Sequence, residues 1–448
     1  MKPLVLSLIL LLLAFPLFAD VTVIKPVNTI SMETGEVAHD RAVYIEGGRI
    51  TRILASEDLP SLPEDATLID GANGWLIPGL AEMHAHVPSK RRGEQYARDI
   101  MSLFLANGVT TIRGMLGEPW HLELRELLDQ KDWTGPRLIT SGPSFNGNTV
   151  SSPEQASRRV QSQSQAGYDF LKLHPGLEAD EFQAIAATAR QEDIPMAGHV
   201  SYAVGIESAL RENQATIDHL DGYAEAMVPS GSPLSETAPS WFGLNLASEM
   251  DPALATSLAR ATAKAGVWNV PTQSLFETTS GFSPMEELLS RTGMEYLTAE
   301  LRSRWRDSVV DLRDRSSDAE RRNFLHARRT LILALQDAGA GLLLGSDAPQ
   351  IMNVPGFSVH QELAYLVNAG LTPLQALQSG TINVARFFGD GNRGEIAPGF
   401  LADLLLLEDN PLENIDATTK IIGVMRAGTW FDRSKLDEML SGVRERGI

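Results

Sequence analysis

The sequence predicts an α/β protein: a (β/α)8, TIM-like barrel with a small β-sandwich domain formed from both chain ends. Three observations carry this expectation. Eight short apolar runs alternate with stretches of helical spacing. Most of these runs are rich in Val, Ile and Leu with little alternation, as parallel strands buried on both faces require. Strand-like segments are left over at both ends. A chain of 448 residues, 43% hydrophobic and 21% charged, has ordinary globular composition and the length for one large and one smaller domain.

The runs cover residues 76–86, 109–113, 137–142, 168–174, 194–201, 216–223, 267–273 and 341–349. Between them, 94–106, 120–130, 153–166, 178–192, 204–213 and 251–265 have helical spacing, several with capping residues such as Ser152-Pro153. Strand then helix, eight times over, reads as a closed parallel barrel over residues 78–392. An open doubly wound sheet is the alternative, but no Gly-x-Gly-x-x-Gly follows the early strands. Residues 20–77 and 393–448 are assigned to the composite small β domain. Val43-Tyr44-Ile45-Glu46 turning at Gly47-Gly48 into Arg49-Ile50-Thr51 is a hairpin signature, and 402–407 with 421–425 extend the same sheet. Two stretches, 224–250 and 276–318, exceed normal loop lengths and follow barrel strands, where they are expected to act as lids, substrate walls or surface decoration.

Composition narrows the function classes. Met1-Lys2-Pro3, an apolar run to Phe18 and then Ala19-Asp20 match a secretory signal peptide cleaved after Ala19, so an exported protein, periplasmic or secreted, is expected. The run is shorter than the ~20 residues of a spanning helix, so no membrane association is expected after cleavage. The chain has no cysteine, which excludes disulfides, thiolate metal sites and cysteine nucleophiles. A formal charge of −19 disfavours nucleic acid and anionic lipid as partners and favours a small-molecule or dipeptide substrate. Self-association into a homo-oligomer is left open.

Barrel enzymes place their chemistry at the carboxyl ends of the strands. His84 and His86 end the first run, Lys172 and His174 the fourth, His199 the fifth, His219 the sixth and Asp347 the eighth. A spacing of two puts His84 and His86 on one face of a strand, where one metal can take both. Singly, His199 or His219 suits a satisfied core histidine. Together, five of nine histidines at four strand ends favour ligation. Asp347 follows an apolar run, where a carboxylate needs a cation or hydrogen-bond donors. Lys172, flanked by Phe170-Leu171 and Leu173, has three readings: it snorkels to the rim, it is a lowered-pKa amine acting as base or Schiff-base former, or it is carboxylated by carbon dioxide into a bridging anion.

These residues in this order resemble the amidohydrolase superfamily, in particular its imidazolonepropionase-like and Xaa-Pro-dipeptidase-like branch. The resemblance spans nearly the whole chain after residue 19. It is carried by Leu76-Ile77-Pro78-Gly79-Leu80-Ala81-Glu82-Met83-His84-Ala85-His86, by Gly108-Val109-Thr110-Thr111-Ile112-Arg113, by Gly370-Leu371-Thr372-Pro373 with Ala376-Leu377, and by Gly394-Glu395-Ile396-Ala397-Pro398-Gly399-Phe400-Leu401-Ala402-Asp403-Leu404 with Asn410-Pro411-Leu412. It implies two divalent metals, usually zinc: His84, His86 and Asp347 on one, His199 and His219 on the other, and N-carboxylated Lys172 bridging both. It further implies that a hydroxide between the metals attacks the carbonyl of an amide, lactam or dipeptide, with Asp347 as general acid/base. Two departures stand out. No Glu lies near His199, which disfavours the single-metal deaminases, and His174 is not a usual ligand.

Arg113, His174, Tyr202, Tyr223 and Gln273 lie at or just beyond strand ends and are the candidate substrate contacts, Arg113 for a substrate carboxylate. There is no Gly-x-Ser-x-Gly elbow and no His-Glu-x-x-His helix. The alternatives are a cyclic deaminase or an ester or lactone hydrolase on the same site, then a non-catalytic binding protein, then a metal-delivery protein. The last would want a contiguous His-rich tract rather than dispersed strand-end histidines.

Overall fold

A computed structural model describes residues 21–448. The expected signal peptide, residues 1–19, lies outside the described residues, and no helix among the described residues is long and apolar enough to cross a membrane. The chain opens with β1 (Thr22–Ile30), β2 (Val37–Glu46), β3 (Arg49–Ala55) and β4 (Thr67–Pro78). Seven short parallel strands follow: β5 (Leu80–Ala85), β6 (Val109–Gly114), β7 (Arg137–Thr140), β8 (Leu171–Leu173), β9 (Met196–Gly198), β10 (Thr216–Asp218) and β11 (Trp268–Val270). The chain returns through β12 (Leu404–Leu407), β13 (Ile421–Arg426) and β14 (Thr429–Asp432).

The parallel strands form two sheets, β5-β6-β7 and β8-β9-β10-β11 in spatial order. Single parallel bridges join their edges: Ser141 to Phe170 and Phe145 to Leu173 on one side, Asn269 to Leu342 and Ala85 to Ala348 on the other. The eighth run is not a regular strand. Its backbone still donates and accepts across both neighbours, with Leu343 N on Asn269 O, Met83 N on Leu344 O, and Asp347 N on His84 O. Asp347 at φ +66° bends it away from ladder geometry.

Helices connect these strands where the spacing predicts them, including Glu94–Ala106 and Pro153–Ala166, the latter with Ser152 accepting from Gln155 N and proline in its first turn. The long insertions are also structured. Residues 224–250 include a short 3-10 segment, Trp241–Leu246, and residues 276–318 contain helix Ala299–Asp314.

Both chain ends enter one seven-stranded sheet, ordered β14-β13-β12-β4-β1-β2-β3. The β2–β3 hairpin turns through Gly47 and Gly48, both at positive φ, as its Gly-Gly pair predicts. Ile50 N donates to Phe400 O and Ala402 N to Gly48 O, so the β3 end of the sheet meets the chain just before β12. Ile24, Ile45, Ile50, Leu404 and Met425 share one apolar core beneath it.

The expectation that residues 393–448 are strand-like fails at the end of the chain, where Arg433–Arg446 is a helix capped by Asp432. Its Leu436 and Val443, with the terminal Ile448, join the same core as Ile100 and Phe104, and Arg446 makes a forked pair with Asp99 at 2.6 and 2.9 Å. Packing against helix Glu94–Ala106 thus outweighs sheet extension for these residues. Leu436→Ala, at a fully buried site, is expected to cost about 2–4 kcal/mol in denaturant unfolding. Arg446→Ala, on the rim, is expected to cost less than about 1 kcal/mol.

Candidate metal centre

The site is built on the carboxyl ends of the parallel strands. β5 delivers His84, with His86 just after it. β8 carries Lys172, and β9 and β10 are followed directly by His199 and His219. The ring centroids of His84 and His219 are 4.4 Å apart, those of His199 and His219 4.6 Å, and those of His84 and His86 5.7 Å. Asp347 reaches in from the irregular eighth segment, with Oδ1 2.7 Å from His86 Nε2 and 3.4 Å from His84 Nε2, and Oδ2 4.0 Å from His219 Nδ1. Donor atoms of His84, His86 and Asp347 all lie within 4.8 Å of one another, a spacing that suits a single cation.

Lys172 does not snorkel. Its side chain is fully buried, Nζ makes no hydrogen bond, and the nearest opposite charge is Asp218 Oδ2 at 3.8 Å. Burial lowers its pKa to about 8, against the pull of Asp218 and Asp347. Gly198 on β9 makes the room: a Cβ there would collide with the carbonyl oxygen of Leu173 and lie 2.9 Å from Lys172 Cδ. Burial likewise holds His199 down to about 3 and His84 and His219 well below the usual imidazole range, which keeps their rings neutral. Neutral imidazole is the form that ligates a metal.

Carboxylates and hydroxyls in and just beyond the strand ends aim these rings. His199 Nδ1 is 2.6 Å from Asp221 Oδ2, so its Nε2 is the nitrogen left for the site. His219 Nδ1 is 2.9 Å from the Thr272 hydroxyl. Glu82, fully buried, accepts from His84 N, Ser346 N and Ser346 Oγ and so ties the first strand to the eighth segment. Burial nevertheless pushes its carboxyl up to about 8, and does the same to Asp221. Asp218 lies 3.0 Å from His84 Nδ1. Burial would raise its pKa, but Arg113 and Lys172 hold it below the usual carboxylate range.

The substrate contacts expected from sequence divide. Arg113 points inward beneath the histidines, donating to Met83 O, Thr216 Oγ1 and Asp218 Oδ1, so its guanidinium is spent on the protein and is not offered to a substrate carboxylate. Tyr223 is fully buried on Thr262 and Asn269. Gln273 donates to Glu277 and accepts from Arg328. These three assignments are corrected: each side chain turns into the packing behind its strand end instead of the mouth. His174 stacks on His199 at 4.9 Å and 25°, and Tyr202 is exposed at the rim, so both stay beside the site.

Several residues escaped the sequence reading. Glu82, Asp218 and Asp221 carried a signal, since each is an acid within three residues of a histidine, in or just past an apolar run. Arg328 carried none. It lies on helix Asp318–Ala338 and donates to His219 O and Pro271 O, more than fifty residues away in the chain. Phe242 carried none either; its ring lies over His219 at 5.1 Å and His199 at 6.0 Å.

The family model described as amidohydrolase family matches residues 75–431, most of the chain. The chain belongs to the amidohydrolase family. Among solved structures, a bottromycin amidohydrolase superposes with a TM-score of 0.71 at 25% identity, over 95% of this chain and 90% of that one. A Xaa-Pro dipeptidase with methionine bound in its active site superposes at 0.67 and 18% identity, over 92% of this chain and 100% of that one. An adenine deaminase of Bacillus licheniformis is 37% identical over 87 residues, which is 19% of this chain and 15% of that protein's length.

Glu82→Leu removes the acceptor shared by His84 N and both Ser346 donors. It is expected to destabilise the protein by about 2–4 kcal/mol in chemical unfolding and to lower bound metal measured by elemental analysis.

Proposed function

We propose that this amidohydrolase-family chain is a binuclear metal-dependent hydrolase of a C–N bond in an amide, lactam or dipeptide, acting inside a closed (β/α)8 barrel. The observation that carries the reading is the convergence of His84, His86 and Asp347 donor atoms within 4.8 Å, beside a buried Lys172 Nζ that has no hydrogen-bond partner. The edge bridges between the two parallel sheets support closure of the barrel. The shared core of Ile50 and Leu404 supports reading the terminal sheet, residues 20–77 with 393–448, as a β-sandwich folded on itself.

The donor chemistry fits a pair of divalent ions. His84, His86 and Asp347 would hold one, His199 and His219 the other, and Lys172, N-carboxylated, would span both. Carboxylation of the neutral amine would join Nζ to the carbon of carbon dioxide with loss of one proton, and would replace a lone buried amine with an anion able to ligate metal. Zinc suits such nitrogen and oxygen ligands. When bound, the metals supply Lewis-acid polarisation of the carbonyl and acidify the attacking water.

The chain's own side chains do the rest. Asp347 Oδ1, which makes no hydrogen bond among the described residues and lies 2.7 Å from His86 Nε2, would take the proton of the attacking water and return it to the leaving nitrogen. Asp221 holds one tautomer of His199, and Thr272 steadies His219. Phe242 covers these two rings and limits water over them.

A second reading, a deaminase, has the adenine deaminase similarity in its favour. Against it, the segment Met196-Ala197-Gly198-His199-Val200-Ser201 offers no carboxylic acid beside His199. Elemental analysis of the purified protein, paired with turnover of N-acyl amino acids, dipeptides and lactams, separates the two. The hydrolase reading expects about two metals per chain, loss of both metal and turnover in Lys172→Ala, and a fall in kcat of about 10²–10⁴ in Asp347→Asn. One metal, with ammonia released from cyclic amidines and no amide cleavage, would overturn it.

A further inference from the structure

A cavity of about 500 Å³ adjoins the His199 side of the metal centre, and its lining includes Tyr202, Asp221, Glu225, Trp241 and Phe242. One wall is aromatic and held under backbone strain. Trp241 and Phe242 both have positive φ, +41° and +56°, which is costly for side chains of this size. Phe242 is clasped edge-on by Phe276 at 5.0 Å and by Trp241 at 5.4 Å. The next residue, Gly243, is at φ +88°, and a Cβ there would collide with the Ala224 side chain. The 3-10 segment therefore seats directly on helix Tyr223–Ala226, which carries Glu225.

The charge on this cavity has one sign. Glu178, Asp221 and Glu225 line it, and among the described residues no lysine, arginine or histidine does. Asp221 is engaged by His199, and Glu178 caps helix Ala179–Gln191. Glu225 makes no hydrogen bond or ion pair to another side chain among the described residues. Burial pushes its carboxyl up to about 7. Arg113, the guanidinium expected to receive a substrate carboxylate, is committed to Asp218 beneath the histidines. A carboxylate entering this cavity would meet three acids and no cation. An ammonium would meet an unshared carboxylate against an apolar wall, where a charged hydrogen bond gains most.

We propose that this cavity is the subsite for the substrate's side group and that it selects an apolar, aromatic-sized group bearing an ammonium and no carboxylate. Phe242 and Trp241 supply the apolar contact and Glu225 the charge. The inference rests on the hydrolase reading only in treating the cavity as part of the substrate site.

The test is equilibrium binding of 2-phenylethylamine and its neutral isostere 2-phenylethanol to the metal-loaded protein by calorimetry. It is run at about pH 8, above the raised Glu225 value and with the amine still protonated. The amine is expected to bind about tenfold more tightly than the alcohol. Glu225→Gln is expected to abolish that preference while leaving the alcohol's Kd unchanged, and Phe242→Ala to weaken both ligands. Equal binding of the two, survival of the preference in Glu225→Gln, or no binding of either would overturn the proposal. The expected pattern with no C–N cleavage of any substrate would instead remove the hydrolase reading and leave the subsite standing.

Discussion

Lys172, Arg113 and Asp218 are all out of contact with solvent, with the guanidinium 3.3 Å and the ammonium 3.8 Å from the same carboxylate. Two cations and one anion in an apolar interior form a costly arrangement unless each is held in place by further polar partners. Arg113 has such partners in Met83 O and Thr216 Oγ1, and Asp218 accepts from Thr216 as well. Lys172 has none. The interior is therefore organised around one amine with no hydrogen-bond partner among the described residues, close to the neutral imidazoles of His84, His199 and His219 and to Asp347. A lone buried ammonium is costly there, and burial accordingly lowers the pKa of Lys172 to about 8.

Local strain is concentrated where this centre is assembled. His219 and Leu220 after β10, Thr272 after β11 and Asp347 in the eighth segment all have positive φ. A β-branched residue such as Thr272 adopts that conformation only when its surroundings impose it. Here they do: Glu362 accepts from Gln273 N and Ser274 N, and Arg328 binds the carbonyls of Pro271 and His219. The helix carrying Arg328 thus clamps two strand ends at once. The Thr272 hydroxyl is placed on His219 by the same contacts, and ring orientation, backbone strain and helix packing are one linked system.

The long insertions complete the site from above. The segment after β10 brings Phe242 over His199 and His219, and Phe276 and Phe324 from later elements pack behind it. The strand ends carry His84, Lys172, His199 and His219, while the insertion carries the aromatic ring that covers His199 and His219. On such a scaffold the polar side chains sit on short strands, and the covering wall sits on connections that vary independently.

Much of this was legible in the residues alone. Period-two spacing on a strand places His84 and His86 on one face, and apolar runs ending in His199, His219, Lys172 and Asp347 mark the same end of parallel neighbours. Those are local properties, determined by backbone geometry within a few residues. The terminal helix, Arg433–Arg446, was missed, because residues 393–448 read as strand-like even though Leu436, Leu440 and Val443 keep helical spacing behind the Asp432 cap. What the tertiary structure alone decided is where side chains turn once they leave the strand. Arg113, Tyr223 and Gln273 stand at the right sequence positions for substrate, yet they bond to Asp218, Asn269 and Arg328. Glu82 finds Ser346 across 264 residues of chain. Phe242 and Glu225 come to face one cavity through a glycine contact no pattern announces. Direction at a strand end depends on which distant group satisfies the polar atoms, and that information resides in packing rather than in spacing.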